Sequence, residues 1–223
     1  MINAYNNFIE RIKDIRNLEN IYDQNIAQYS LLAETLSDIL RFQLVYAVSA
    51  FDRFIHDIVR IGIVDSIKNQ TQLTEKAKSF QIMLTDVLLI SETQSPMSIQ
   101  DNLIQLIDKK IQERHSELAF QQPPKISEAL SHIWHEEHKW QRITENMTIE
   151  LQGNTINKKE KYLKQTITLI INRRNQIVHE ADIDLVTNQK RSIEKANINE
   201  SVLIIEDLGN SIYKCLNTCN ATN

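Results

Sequence analysis

The stretch Leu36–Val59, LSDILRFQLVYAVSAFDRFIHDIV, decides the class of the fold. Leu36, Leu40, Leu44, Ala47, Phe51, Phe54 and Ile58 recur at steps of three and four. That spacing lines side chains along one face of an α-helix. Val45, Val48, Ile55 and Val59 widen the face, so residues 31–68 are expected to form a central helix contacted on several sides. Gly62 is a candidate kink near its end.

Outward from this segment the chain keeps the same period. Residues 2–28 read as a helix with Phe8, Ile12, Ile15 and Leu18 on one stripe. Residues 74–90 give a helix around Phe80, Met83, Leu84, Val87 and Leu88. Ser95-Pro96 reads as the start of the next, through Ile99, Leu103, Leu106, Ile107 and Ile111. Pro123-Pro124 closes that region. Residues 126–140 read as helix, 141–154 as loop, and 157–179 as helix again. Residues 181–196 form a polar connection carrying Asp182 and Asp184. A last helix covers about 198–218, with Gly209 on its apolar seam, where it either admits a close neighbour or is merely tolerated. Only 3 Gly and 3 Pro occur in 223 residues. The expectation is an all-α helical bundle, one domain over 1–223, with about 70–150 as a helical insertion.

The net charge is −4 and the pI about 5.9, which argues against a non-specific nucleic-acid coat; any such contact is expected at one patch. Cys215 and Cys219 are the only cysteines, and their spacing is neither a redox nor a zinc pattern. Two reduced thiols in a cytoplasmic protein are the simpler reading. Met1–Asn6 lacks a basic start followed by an apolar run, and no segment has the length of an uninterrupted membrane span. A soluble cytoplasmic protein with no membrane partner is expected.

Chemistry gathers at Arg173-Arg174-Asn175-Gln176-Ile177-Val178-His179-Glu180. The helix before it carries the stripe Leu163, Ile167, Ile170, Ile171, Ile177 and Val178, and Arg174 falls in the middle of that stripe. A permanent charge in an apolar seam requires a partner or a task. Histidine moves protons near neutral pH, and arginine neutralises a phosphate or an oxyanion. Together Arg174 and His179 point to phosphodiester chemistry without a metal, with Asn175 placed to orient either group or the phosphate. The ordinary alternative is that Arg174 pairs with a buried acid and His179 caps the helix C-terminus.

The string Arg174-Asn175-x-x-x-His179 resembles the R-x(4–6)-H motif of the HEPN superfamily, and RRNQIVHEADID resembles its RiboL-PSP branch. Ala50-Phe51-Asp52-Arg53-Phe54-Ile55-His56-Asp57 is similar to that branch's long second helix. The resemblance covers roughly 35–60 and 157–186. It implies an up-and-down HEPN bundle and a homodimer through the motif-bearing helix, with two motifs in one composite cleft. It also implies a metal-independent endoribonuclease using no cofactor, of the kind that serves as a toxin or in anti-phage defence. On that reading Arg174, His179 and Asn175 are catalytic, the stripe Leu163–Val178 is the dimer seam, and an antitoxin or defence partner protein is expected. The competing readings are a HEPN module without catalysis, or an antitoxin-like partner of a nucleotidyltransferase. The chain has no Gly-rich phosphate loop with which to be that transferase itself.

Three further groups are candidates. Asp52, with His56 one turn on, is placed to pair with Arg174 and support it. Lys158, Lys159 and Arg173 are candidate RNA contacts, within the most basic stretch of an acidic chain. His132, His135 and His138 are spaced for one helix face but lack a distant further ligand, so no metal is expected there.

Overall fold

The computed structural model describes residues 1–29, 32–92 and 98–220, with the backbone alone for 89–92 and 219–220. Helix α2 (Ala33–Lys68) runs unbroken for 36 residues and packs against the long helices α1 (Ile2–Gln28), α8 (Ile156–His179) and α9 (Lys195–Asn220). The stripe from Leu40 on and most of its widening are buried: Leu40, Leu44, Ala47, Val48, Phe51, Phe54, Ile55, Ile58 and Val59 lie in the core, while Leu36 and Val45 are half-buried. A helix wetted on so little of its surface is the axis of a bundle. Among the described residues there are nine helices and no strand, only one isolated bridge between Ile183 and Lys190. No described helix is long and apolar enough to cross a membrane.

Gly62 is not a kink. A Cβ there would lie 2.6 Å from Cγ2 of Ile133, so the missing side chain admits the 131–138 segment against α2. Gly209 makes a similar allowance in α9 for Phe8 of α1.

The middle of the chain departs from the expected helices. In place of one helix over 74–90 stand α3 (Glu75–Lys78) and α4 (Leu84–Glu92). Thr74 caps α3 by accepting the N–H of Ala77, and Met83, Leu84, Val87 and Leu88 are exposed. Their helical period therefore has no core to bury against. Ser95-Pro96 lies outside the described residues; α5 (Ile99–His115) has Ser98 as its N-cap. Pro123 does not close a helix but opens α6 (Pro123–Leu130), where its missing N–H costs nothing. The expected helix over 126–140 is broken at 131–138, because Trp134 turns into the core there. Helix α7 (Lys139–Asn146) then takes up residues expected as loop. The remaining loop is tied to α9 through buried Asp207, which accepts the N–H groups of Thr148 and Ile149. Ile126, Leu130, Trp140 and Ile143 join the same core as α2, α8 and α9.

Candidate active site at the end of helix α8

Thr155 starts α8 by accepting the N–H of Lys158. Leu163, Ile167, Ile170 and Ile171 are then buried within the single chain, in a helix that packs against α2, α6, α7 and α9. The stripe is therefore core, not a seam between two copies. Only its last turn, from Arg174 to His179, reaches the surface. The helix ends at His179 because the chain turns sharply: Ala181 and Asp182 both hold left-handed φ, at 49° and 59°. Two adjacent non-glycine residues in that region cost about 1–3 kcal/mol each and persist only where the surroundings impose them.

What imposes them is a buried ion cluster. The Asp182 side chain is 1% exposed. Its carboxylate accepts from Nε of Arg41 at 2.6 Å and from both terminal nitrogens of Arg173, one at 2.8 Å. Arg41 also donates to the carbonyl of Arg191 at 2.6 Å and to Ser37 Oγ at 2.6 Å. Its own side chain is 7% exposed. The N–H of Asp182 bonds to the carbonyl of Gln176, 3.1 Å away, inside the motif. Removing one member of such a cluster leaves a buried charge uncompensated, typically at about 3–5 kcal/mol. Arg173 is thus not a free RNA contact: its guanidinium is committed to Asp182 and to the carbonyl of Ser192.

Arg174 has the opposite surroundings. Among the described residues no carboxylate lies within ion-pair distance of its guanidinium, and its buried Nε has no hydrogen-bond partner. Its Nη1 donates to Oδ1 of Asn175 at 3.1 Å, so Asn175 orients the arginine. His179 is exposed at the last position of the helix. Arg174 and His179 stand about 140° apart around the axis, with Asn175 between them. The buried-acid pairing open to Arg174 on sequence grounds is instead made by its neighbour.

The family model for RiboL-PSP-HEPN matches residues 6–218. The chain belongs to the RiboL-PSP-HEPN family. No curated protein and no solved structure matches it. HEPN domains are all-α, generally act on RNA or nucleotides, and are often dimeric.

In this HEPN chain Asp52 does not pair with Arg174. Its carboxylate accepts the N–H of Phe120 at 2.6 Å and Nε2 of Gln121 at 3.1 Å, so it fastens the segment after α5 to α2. Beside it the His56 ring packs at a tilt against His115 and Phe120, at ring-centroid distances of 5.2 and 4.5 Å. Burial, reinforced by the positive charges that His56, His132, Arg114 and Arg60 can present, pushes His115 down to about 4. Burial also lowers His56, against the opposing pull of Asp52 and Asp57 and with the help of Arg53. The unfolded chain takes up the His115 proton near pH 6.5, the folded one only near 4. Stability is therefore full above about pH 6.5 and falls as the pH drops towards 4. Thermal melting at pH 7 and pH 5 is expected to show the lower midpoint at pH 5, and His115→Gln is expected to narrow that gap.

Lys158 and Lys159 lie on the first turns of α8, about 30 Å from His179 along the axis. They belong to the far end of the helix and do not adjoin the motif. His132, His135 and His138 are distributed along the non-helical 131–138 segment: His135 reaches towards the carbonyl of Gln72, and His138 precedes α7. Among the described residues no three His, Cys, Asp or Glu side chains are gathered to hold a metal.

Sequence reasoning missed Arg41 as a site neighbour. Asp182 was visible only as an acid in a polar connection; nothing local links it to an arginine 141 residues earlier.

Proposed function

We propose that this HEPN protein is an endoribonuclease whose reaction is carried by Arg174 and His179 without a metal, as a toxin or anti-phage effector in the cytoplasm. The observation that carries the reading is the contrast between the two adjacent arginines. Arg173 is consumed by Asp182, while Arg174 has no acid of its own and lies in the turns of α8 that end at the exposed imidazole of His179. An uncommitted guanidinium is suited to a phosphate that arrives from outside.

In the reaction a ribose 2′-hydroxyl attacks the adjacent phosphorus. His179 takes the proton from that hydroxyl or returns one to the leaving 5′-oxygen. Arg174 meets the charge that builds on the non-bridging oxygens, and Asn175 holds Arg174 in place. The products are a 2′,3′-cyclic phosphate and a free 5′-hydroxyl. Since Arg174 and His179 point away from each other on one helix, two copies meeting at the motif ends of α8 would supply Arg174 and His179 to the same phosphate. An antitoxin or defence partner would bind at this end to silence the cleft.

The test is cleavage of a single-stranded RNA in excess chelator, beside the same strand with one 2′-deoxy nucleotide. Cleavage with chelator present, ending in a cyclic phosphate and sparing the deoxy position, is the expected result. Loss of cleavage on chelation, or cutting at the deoxy position, would reject the mechanism.

A further inference from the structure

We propose that Asp182 is the positioning residue of the motif. Resting on the ribonuclease reading, it assigns to this buried acid, with Arg41 as its anchor, the placing of His179 and the separation of Arg173 from Arg174. Three observations meet here. The carboxylate is held from two directions, by Arg41 of α2 and by Arg173 of α8. The backbone at 181 and 182 keeps an unfavourable conformation immediately after His179. The Asp182 N–H closes on the carbonyl of Gln176, three residues before His179, and the Asp182 carbonyl accepts the N–H of Arg191.

These contacts have a consequence for the cleft. They anchor the chain leaving the helix to α2, which holds the last turn against fraying and with it the backbone that carries His179. Helix ends are otherwise the first part of a helix to open. The same carboxylate withdraws Arg173 from solvent. A phosphate at this end then meets one arginine in a fixed place, rather than two in exchange. Around the cluster Arg191 pairs with Glu180, and Lys190 with Asp38. The neighbouring cations are thus matched by acids, and Arg174 is left for the substrate.

The experiment uses the full chain carrying Asp182→Asn, with Arg41→Lys as the milder variant should the first not fold. Single-turnover RNA cleavage is measured against substrate concentration, and the imidazole signals are followed by NMR. A slowing of about 100-fold with KM within about threefold is expected for Asp182→Asn, the scale of a catalytic group displaced by about an ångström. The His179 imidazole signal is expected to shift or broaden, while those of His56 on α2 and His115 at the end of α5, in contact with each other away from the cluster, stay in place. Arg41→Lys, which keeps the charge and loses part of the fork, is expected to be intermediate. A general loss of folding would disturb every histidine equally. A folded variant, of either kind, that cleaves within about twofold of the parent with His179 unmoved would overturn the proposal. If the parent itself cleaves no RNA, the ribonuclease reading fails, and the His179 signal still decides whether Asp182 positions it.

Discussion

His179→Ala is expected to slow RNA cleavage by about 10²–10⁴-fold, the usual contribution of a positioned acid or base. Arg174→Ala is expected to slow it by about 10²–10³-fold, the scale seen when a preorganised charge-stabilising donor is removed. Neither change should weaken the fold. His179 is exposed, and surface changes of that kind stay within about 0.5 kcal/mol. Arg174 has a buried Nε without a partner, so its removal takes away a desolvated donor and breaks no bond to a core residue. Arg173→Ala behaves differently: it strips Asp182 of one of its two cations and should lower the melting temperature clearly. Melting curves together with cleavage rates therefore separate the adjacent arginines. Mixing the two inactive variants sharpens the result. If one copy supplies Arg174 and its partner His179, a mixed dimer of Arg174→Ala with His179→Ala retains one complete cleft, and cleavage should return to a fraction of the parent rate. Mixtures that stay inactive would show that both groups must come from one chain.

The long helices were readable because their chemistry is local. The period of α2 from Leu36 to Ile58, the stripe of α1 and the start of α8 need no distant information. The same logic misled in two places. The apolar period over 74–90 falls largely on exposed residues, and 126–140 reads as one helix although Ile133 and Trp134 pack into the core from a turn that breaks it. At the motif, spacing identified the helix end and its histidine but misassigned two side chains. Asp52 was matched to Arg174, and Arg173 to RNA, because charge complementarity along the sequence does not say which acid lies near which base. That depends on how α2 and the chain after α8 pack, and Arg41 with Asp182 meet only in the fold. The α8 stripe likewise reads as a seam for a second copy, although α2 and α7 cover Leu163 to Ile171 within one chain and leave only its end at Val178 exposed.

Gly209→Val is expected to be among the most destabilising single changes in the chain. A Cβ at 209 would lie 2.3 Å from Cε1 of Phe8 and 2.8 Å from its Cζ. Phe8 has no room to yield: it is fully buried, stacked on Phe54 with centroids 4.9 Å apart, and set edge-on to Phe51 at 6.3 Å. Forcing atoms into such a contact typically costs about 1–3 kcal/mol and sometimes more. Alanine recovers about 1 kcal/mol from its better helix propensity. Gly209→Ala should therefore lose a modest amount, and Gly209→Val, bulkier and β-branched, should fall at or beyond the upper end of the overpacking range. Urea unfolding measures both. The decisive comparison is the pair with Phe8→Leu. In the parent, that change opens a cavity and costs stability. In Gly209→Ala it also makes room for the new methyl group, so it should cost less there, by about 1 kcal/mol or more of coupling. Additive losses would mean that the approach of α1 to α9 at this point does not require the glycine.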